Sequence, residues 1–409
     1  MGIFHRIIGF AAKMISLELF REVYGGGRES TAGVTINTQA ALETATALAC
    51  GRVISEGCAQ TPWHVMQERD GRKQVADDPL DYVLYRRPNP WQTSFEYRET
   101  VLLHAIFCGN AYSFINRVGV AREIRELIPI EPGRVTVKQL PNLSLQYRVT
   151  ADTGEAKDFG QDAIWHLRGP SWNSWMGLDA VKMARNALGL AISLEQGQAE
   201  FQKNGAKVTG AVSVDGRLDK AQFEQMAAWL DRHQIGGDRS HKPLIADRNA
   251  KFLPMTMTGV DQQLIETRRH QIEEICRHFR VMPIMVGHYD KSSTYASAEQ
   301  MFLAHVVHTL MPWYQRIEQS ADVNLLSEEQ RRAGLYTKIN PNALMRGAAK
   351  DRAEYYAKGL GSGGGKGWLT QNDVRGFEDM DRIDDPEADE LAQPATAQPP
   401  ASPLADPGA

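Results

Sequence analysis

Cysteine is scarce in this chain: Cys50, Cys58, Cys108 and Cys276 are scattered through 409 residues with no short repeated spacing. That pattern excludes a disulfide framework and reads as reduced, mostly packed thiols in a cytosolic setting. Cys50 and Cys58 stand eight apart in a segment of helical pattern, the wrong spacing for a zinc ribbon. Long apolar runs are also missing. No stretch approaches the roughly 18 apolar residues of a spanning helix, so no membrane segment is expected. In "MGIFHRIIGFAAKMISLELF" the apolar run from Ile7 to Ala12 is cut by Lys13, and no small-residue cleavage site follows. This reads as an amphipathic arm that docks on a partner, not as an export signal. Gly2 is no myristoylation site either, because His5 and Arg6 occupy the region where a Ser or Thr is wanted.

Catalytic signatures are lacking too. No Gly-x-Ser-x-Gly and no His-Glu-x-x-His occurs. "GSGGGKG", Gly361 to Gly367, superficially matches a phosphate loop, but Lys366 is followed by Gly367 and Trp368, and a helix precedes it where a strand is required. A flexible linker is the better reading. "EEICRHFRVMPIMVGHYD", Glu273 to Asp290, gathers Cys276, His278 and His288 among acids. On a helix Cys276 and His278 are two apart and share no face, while Cys276 follows Ile272 by four, as a buried residue would. Neither a metal, a cofactor nor a nucleophile with its base and orienting group is expected. The chain reads as a structural protein and not an enzyme.

A hydrophobic content of 42% with 23% charged residues is ordinary for a folded protein, long enough here for two to four compact units. The formal charge of −4 is unevenly spread. From Glu378 to Ala409 nine acids face Arg382 alone, a net of −8, which leaves about +4 for Met1 to Phe377. A near-neutral body is not that of a tight, sequence-specific DNA binder, yet it suits a surface past which DNA slides.

Periodicity predicts a helix from Thr38 up to Pro62 and a second from Ser94 stopped by Gly109-Asn110. Residues 111–168 then switch to short alternating runs, "AYSFINR", "IRELIPI", "RVTVKQL", "LQYRVTA" and "AIWHLRG", an antiparallel β region. A helix is expected over 177–204, a strand–helix–strand insertion over 206–260, and a helix over 262–279 ended by Pro283. A further helix over 296–324 carries Pro312 inside it and should kink about a turn upstream, near His308. Two short helices follow, the second opened by Thr370 with Asp373 in capping-box position, and disorder is expected from Asp381 onward.

Four stretches together resemble the portal proteins of tailed bacteriophages, and among them the HK97-type portal family: Tyr85–Arg117 ("YRRPNPWQTSFEYRETVLLHAIFCGNAYSFINR"), Phe252–Gly287, Ser293–Gln319 and Met345–Arg375. Their order and spacing carry the likeness, over residues 35 to 380. One departure is Met282-Pro283-Ile284-Met285, where the family often has paired prolines and a leucine. The resemblance implies an α+β portal fold with a β-rich wing, long stem helices, a small αβ clip and a short helical crown. On this chain those parts fall at 1–35 (flexible arm), 36–176 (wing), 177–205 and 261–281 (stem), 206–260 (clip), 282–295 (tunnel-loop region), 296–344 (kinked wing helix and return), 345–380 (crown) and 381–409 (acidic, Pro-rich tail).

It further implies a homo-oligomeric ring of twelve subunits at one capsid vertex, with double-stranded DNA passing through non-specifically. The implied partners are the terminase large subunit, the major capsid or scaffold protein and later the head–tail adaptors. The setting is the virion, and the host cytoplasm during assembly. His288, Tyr289, Asp290, Lys291, Ser292 and Ser293 would form the tunnel loop facing DNA, with Lys291 as its cation. An ordinary surface loop is the alternative for that segment. For the whole chain the alternatives are another head–tail adaptor or capsid-associated protein, or a packaging-motor ATPase or nuclease. The last lacks its Walker lysine with Ser or Thr and its two-metal carboxylates.

Overall fold

The computed structural model describes residues 28–69, 72–120, 122–151, 153–203, 211–213, 219–221, 223–225, 251–253, 260–288, 295–341, 344, 349–362, 365–378 and 380–392. The chain divides into two compact units, Met1–Ile339 and Asn340–Ala409.

The first unit opens with a small ribbon of β1 (Arg28–Glu29) and β2 (Thr35–Ile36) and continues into two helices where one was expected. Helix α1 spans Thr38–Glu43 and α2 spans Ala45–Ala59, with Thr44 extended between them (φ −79°, ψ 112°). The Thr44 hydroxyl donates to the Ala40 carbonyl (2.9 Å) and its backbone N–H to that of Ala41. Both bonds close α1 while α2 restarts at a new angle. A threonine competing locally for backbone partners breaks the run, which apolar periodicity does not register.

After Pro62 come three elements that periodicity did not show: β3 (Trp63–Arg69), β4 (Arg72–Val75) and α3 (Pro79–Tyr85). Helix α4 (Ser94–Cys108) starts where expected and is capped by Thr93 and Glu96 in a reciprocal box. It stops where expected, at Gly109. There φ is 71°, and an added Cβ would lie 2.1 Å from the Leu178 carbonyl oxygen, so no other residue fits.

The β region is antiparallel as its alternation predicted. Strands β5 (Asn110–Val118), β6 (Glu123–Ile130), β7 (Val135–Gln139), β8 (Leu145–Thr150), β9 (Ala156–Phe159) and β10 (Ile164–Arg168) make two three-stranded sheets, ordered β10-β5-β6 and β7-β8-β9. Tyr112, Leu145, Tyr147, Val149 and Ile164 form the buried cluster between them.

Asp179 caps the short helix α5 (Ala180–Met183), and Ala184 breaks it from α6 (Arg185–Lys203), again two helices in place of one. Of the 206–260 insertion the described residues include an antiparallel pair, β11 (Ala211–Ser213) with β12 (Lys251–Leu253), and helical residues 220–221 and 223–225 between them in sequence, where a helix was expected. The long helix α7 runs Val260–Phe279. It ends before Pro283: Arg280 takes the left-handed conformation (φ 57°), and Pro283 instead opens a 3-10 turn, Pro283–Val286. Helix α8 (Tyr295–His305) and helix α9 (Met311–Asn324) are joined by a π-helical turn, Val306–Leu310. The π turn ends two residues before Pro312, which has no N–H to give back to the preceding turn.

The short helix α10 (Glu328–Arg332) leads to β13 (Leu335–Ile339), which completes a third sheet ordered β13-β3-β4. Helix α9 is sewn to that sheet by Glu318 and Asp322. Glu318 accepts from the Ile339 N–H (2.7 Å) and sits 3.2 Å from the Lys338 ammonium, and Asp322 accepts from the Thr337 N–H (2.7 Å).

In the second unit α11 (Ala349–Gly359) is followed by α12 (Gln371–Phe377), opened by the Thr370–Asp373 capping box that the sequence predicted. Residues 381–392 are not disordered, contrary to their acidic, Pro-rich composition. Asn372 donates to the Ile383 carbonyl (3.1 Å) and to Asp389 (2.9 Å), Arg382 pairs with Asp389 (2.7 Å), and Ala388 is buried. Residues 393–409 lie outside the described residues.

Glycines on the helices divide by what surrounds them. A Cβ on Gly51 of α2 would stand 2.5 Å from the Phe107 ring, which is itself held edge-on against Phe279 at 5.4 Å. A Cβ on Gly197 of α6 would meet nothing. Gly51→Ala should therefore destabilise: overpacking costs about 1–3 kcal/mol, against about 1 kcal/mol gained in helix propensity. Gly197→Ala should raise the denaturation midpoint in the same urea titration. Equal stabilisation by both would show that the Phe107 contact is soft.

Candidate functional site

The segment from Glu273 to Ser293 is where the sequence analysis placed its functional candidates. The last turns of α7 present two faces. Cys276 is buried and its sulfur lies 3.8 Å from that of Cys50 on α2, whereas His278 is exposed. The two therefore do not converge, as their spacing required. Among the described residues no group of three or more His, Cys, Asp or Glu has the geometry to hold a metal ion.

Charges on the exposed side of α7 are paired along the helix: Arg277 with Glu273 (3.5 Å) and with Glu274, and His270 with Glu274 (3.7 Å). Within one chain these partners satisfy each other. Two further contacts tie α7 to α6. The Gln271 amide donates to the Ala187 carbonyl (2.6 Å), and Arg268 donates to the Gln198 side-chain oxygen.

Beyond Phe279 the chain turns sharply. With Arg280 left-handed, the Val281 N–H reaches back to the Cys276 carbonyl (2.9 Å) and closes the helix end. The Pro283–Val286 turn follows, and Gly287 (φ 79°) reverses the chain so that the His288 N–H donates to the Pro283 carbonyl (3.0 Å). The His288 ring is half-buried, with Nε2 4.0 Å from Glu273. His288 thus folds back onto the end of α7. Tyr289, Asp290, Lys291, Ser292 and Ser293 lie outside the described residues. The chain re-enters at α8, and the Thr309 hydroxyl of the π turn donates to the Arg280 carbonyl (2.8 Å). The π turn before Pro312 is thereby fastened to the very residue that terminates α7. Sequence reasoning missed this link, because two residues 29 apart in irregular backbone leave no periodic signal.

The family model described as phage portal protein matches residues 45–379. The portal protein of Enterobacteria phage HK97 is 30% identical over 353 residues, 85% of this chain and 81% of that one. The chain belongs to the phage portal family. It is of the HK97 type. A probable portal protein of Streptomyces phage phiC31 is 26% identical, covering 89% of this chain and 80% of the relative. Among solved structures, a chain of the virion of a native gene transfer agent particle superposes with a TM-score of 0.58 at 21% identity, over 85% of this chain and 94% of that one. An HK97-family phage portal protein from Corynebacterium diphtheriae gives 0.56 at 17% identity, over 75% and 95%. The α+β architecture is accordingly that of portals, and the expectation from the sequence holds at that level.

Of His64, His104 and His166, all away from this segment, two have partners. His64 lies 3.1 Å from Asp81, and His166 bonds Asn110 (3.0 Å) and the Tyr147 hydroxyl (3.3 Å). His104 differs from both, since its Nδ1 is buried with no hydrogen-bond partner. Burial lowers its pKa from 6.5 to about 4, and burial, helped by the nearby Arg168, takes that of His166 to about 3. A base depressed in the fold binds its proton more readily when unfolded. This contribution is therefore intact above pH ~6.5 and drains away as the pH falls toward about 4 and below. Replacing His104 with Leu should flatten the pH dependence of stability between pH ~6 and ~4 by up to about 1.4 kcal/mol per pH unit. Thermal melts across that range would read it, and an unchanged slope would mean that His104 titrates normally.

Proposed function

We propose that this chain is the subunit of a portal ring at one capsid vertex. The ring forms the channel through which double-stranded DNA is packaged and later ejected. Membership of the HK97-type portal family over residues 45–379 carries the reading. Twelve subunits are supported by the likeness to a chain in the neck of a gene transfer agent particle computed with C12 symmetry, at a TM-score of 0.55. In this scheme the three sheets with α2 and α4 form the wing, α5, α6 and α7 the stem, the 206–260 insertion the clip, and residues 345–380 the crown. The clip meets the terminase large subunit and then the head–tail adaptors, and the outer surface meets the major capsid or scaffold protein. The particle is built in the host cytoplasm and the ring stays in the virion.

The surface of a single chain supports assembly. Helix α8 and the π turn leave Met301, Phe302 (42% exposed), Leu303 (50% exposed) and Val307 open to water. Met183 at the end of α5, Leu190 on α6 and Ile265 on α7 are open as well. Apolar rows of this kind fit a heterologous contact repeated around a closed ring. Electron microscopy of the purified protein should show rings of about twelve subunits with an open channel. Phe302→Glu with Leu303→Asp should release single chains of unchanged helicity and melting temperature. Rings that survive this pair would move the interface elsewhere, and ATP hydrolysis by ring-free protein would overturn the portal reading.

Lys291 serves in this scheme as the channel's transient cation, one per subunit around the ring. That arrangement attracts phosphates without gripping a sequence. Lys291→Glu should leave ring assembly intact and lower DNA uptake in a packaging reaction, most strongly at low salt. Packaging equal to the parent at every ionic strength would leave the segment an ordinary surface loop.

A further inference from the structure

We infer that Cys50 and Cys276 form a latent disulfide site, at which a peroxide-class oxidant covalently fastens helix α2 to helix α7. The inference stands on the geometry of one chain. It takes only its setting, a particle that leaves the reducing host interior, from the portal reading.

The two sulfurs are 3.8 Å apart although 226 residues separate them in sequence. Both side chains are enclosed, at 0% and 1% exposure. They sit where α2 and α7 pack side by side, one residue from Gly51 and three before Phe279, so the helices are held close at this level. The other two cysteines have no such neighbour. Cys58 is buried beside the Arg98 guanidinium, and Cys108 sees the Thr38 hydroxyl at 3.8 Å. Spacing along the chain could not reveal the pair, which exists only once α7 lies on α2.

The hydrogen bond between the thiols orders the chemistry. The Cys50 S–H donates to the Cys276 sulfur. That bond favours the Cys276 thiolate, and the same bond together with burial keeps Cys50 protonated. The Cys276 thiolate therefore attacks first, taking one oxygen of hydrogen peroxide to give the sulfenic acid and, after protonation, one water. Cys50 then gives up its proton and bonds to the Cys276 sulfur, and the sulfenic hydroxyl leaves as a second water. Two thiols lose two electrons and two protons, and one peroxide is reduced to two waters. A molecule hardly larger than water suits a buried site better than a bulky disulfide would.

The link would fix the last full turn of α7, directly ahead of Arg280 and the Pro283–Val286 turn. It would close a covalent loop that leaves the unfolded chain fewer conformations. The test uses the full-length protein, reduced, cleared of reductant and treated with hydrogen peroxide. Samples are then acid-quenched and digested without reductant for mass spectrometry. The expected result is loss of two of the four free thiols, a Cys50–Cys276 linked peptide, and a melting temperature raised by several degrees and restored by dithiothreitol. Cys50→Ser and Cys276→Ser should each abolish the link and the shift, while Cys58→Ser should keep both. Four thiols persisting through treatment at a temperature just below the melting midpoint would overturn the inference. So would a link through Cys58 or Cys108, or conversion of Cys276 to sulfinic acid with Cys50 still free.

Discussion

The first unit depends on how closely helices can approach α2. Its buried face is built from small residues, Ala47, Cys50, Gly51, Ser55, Gly57, Cys58 and Ala59, with Ile54 the one large side chain among them. Small side chains let neighbouring helices come near enough for their own large residues to fill the space. Phe107 of α4 lies over Gly51, and Leu310 of the π turn lies over Gly57, where a Cβ would stand 3.1 Å away. Phe279 of α7 closes the same site from the other side. One helix thus positions α4 before the β region, α7 and the π turn before Pro312. A larger residue on that face would disturb all three.

How much of this was legible depends on whether the cause was local. The π turn before Pro312 and the stop at Gly109 follow from the backbone chemistry of single residues, and the structure shows both. The alternation of 111–168 gave the antiparallel strands because each pairs with a near neighbour. By contrast β3 and β13 pair across the whole unit, Trp63 opposite Ile339, and neither run is long enough to be distinctive alone. Thr44 broke a helix through side-chain competition, which periodicity cannot see. The error at 381–392 had a different source. Composition reports whether a segment can bury its own core, but this one needs none: it borrows order from Asn372, a buried polar residue that it satisfies.

The candidate site was legible in position more than in content. Cys276 read as a packed helix residue, and it is one, yet its partner on α2 could not be inferred from spacing. His288 read as able to fold back, and its N–H bond to the Pro283 carbonyl, with the ring 4.0 Å from Glu273, shows it doing so. The family resemblance supplied the role of the loop itself, since the letters from Tyr289 to Ser293 contain no motif that demands one.

What the structure adds is the frame in which that loop is hung. On the approach, Arg280 adopts a left-handed conformation that a non-glycine residue tolerates only when its surroundings hold it. Here the Val281 N–H is taken by Cys276 and the Arg280 carbonyl by Thr309, so the strained residue is gripped from both sides. On the return, Thr309 belongs to a π turn already distorted by Pro312. The two irregularities that flank the loop therefore share a single hydrogen bond. Each is costly alone, and each is held by the other. The turn that ends α7 and the π turn before Pro312 thus both inherit their placement from α2, through Phe279 and Leu310.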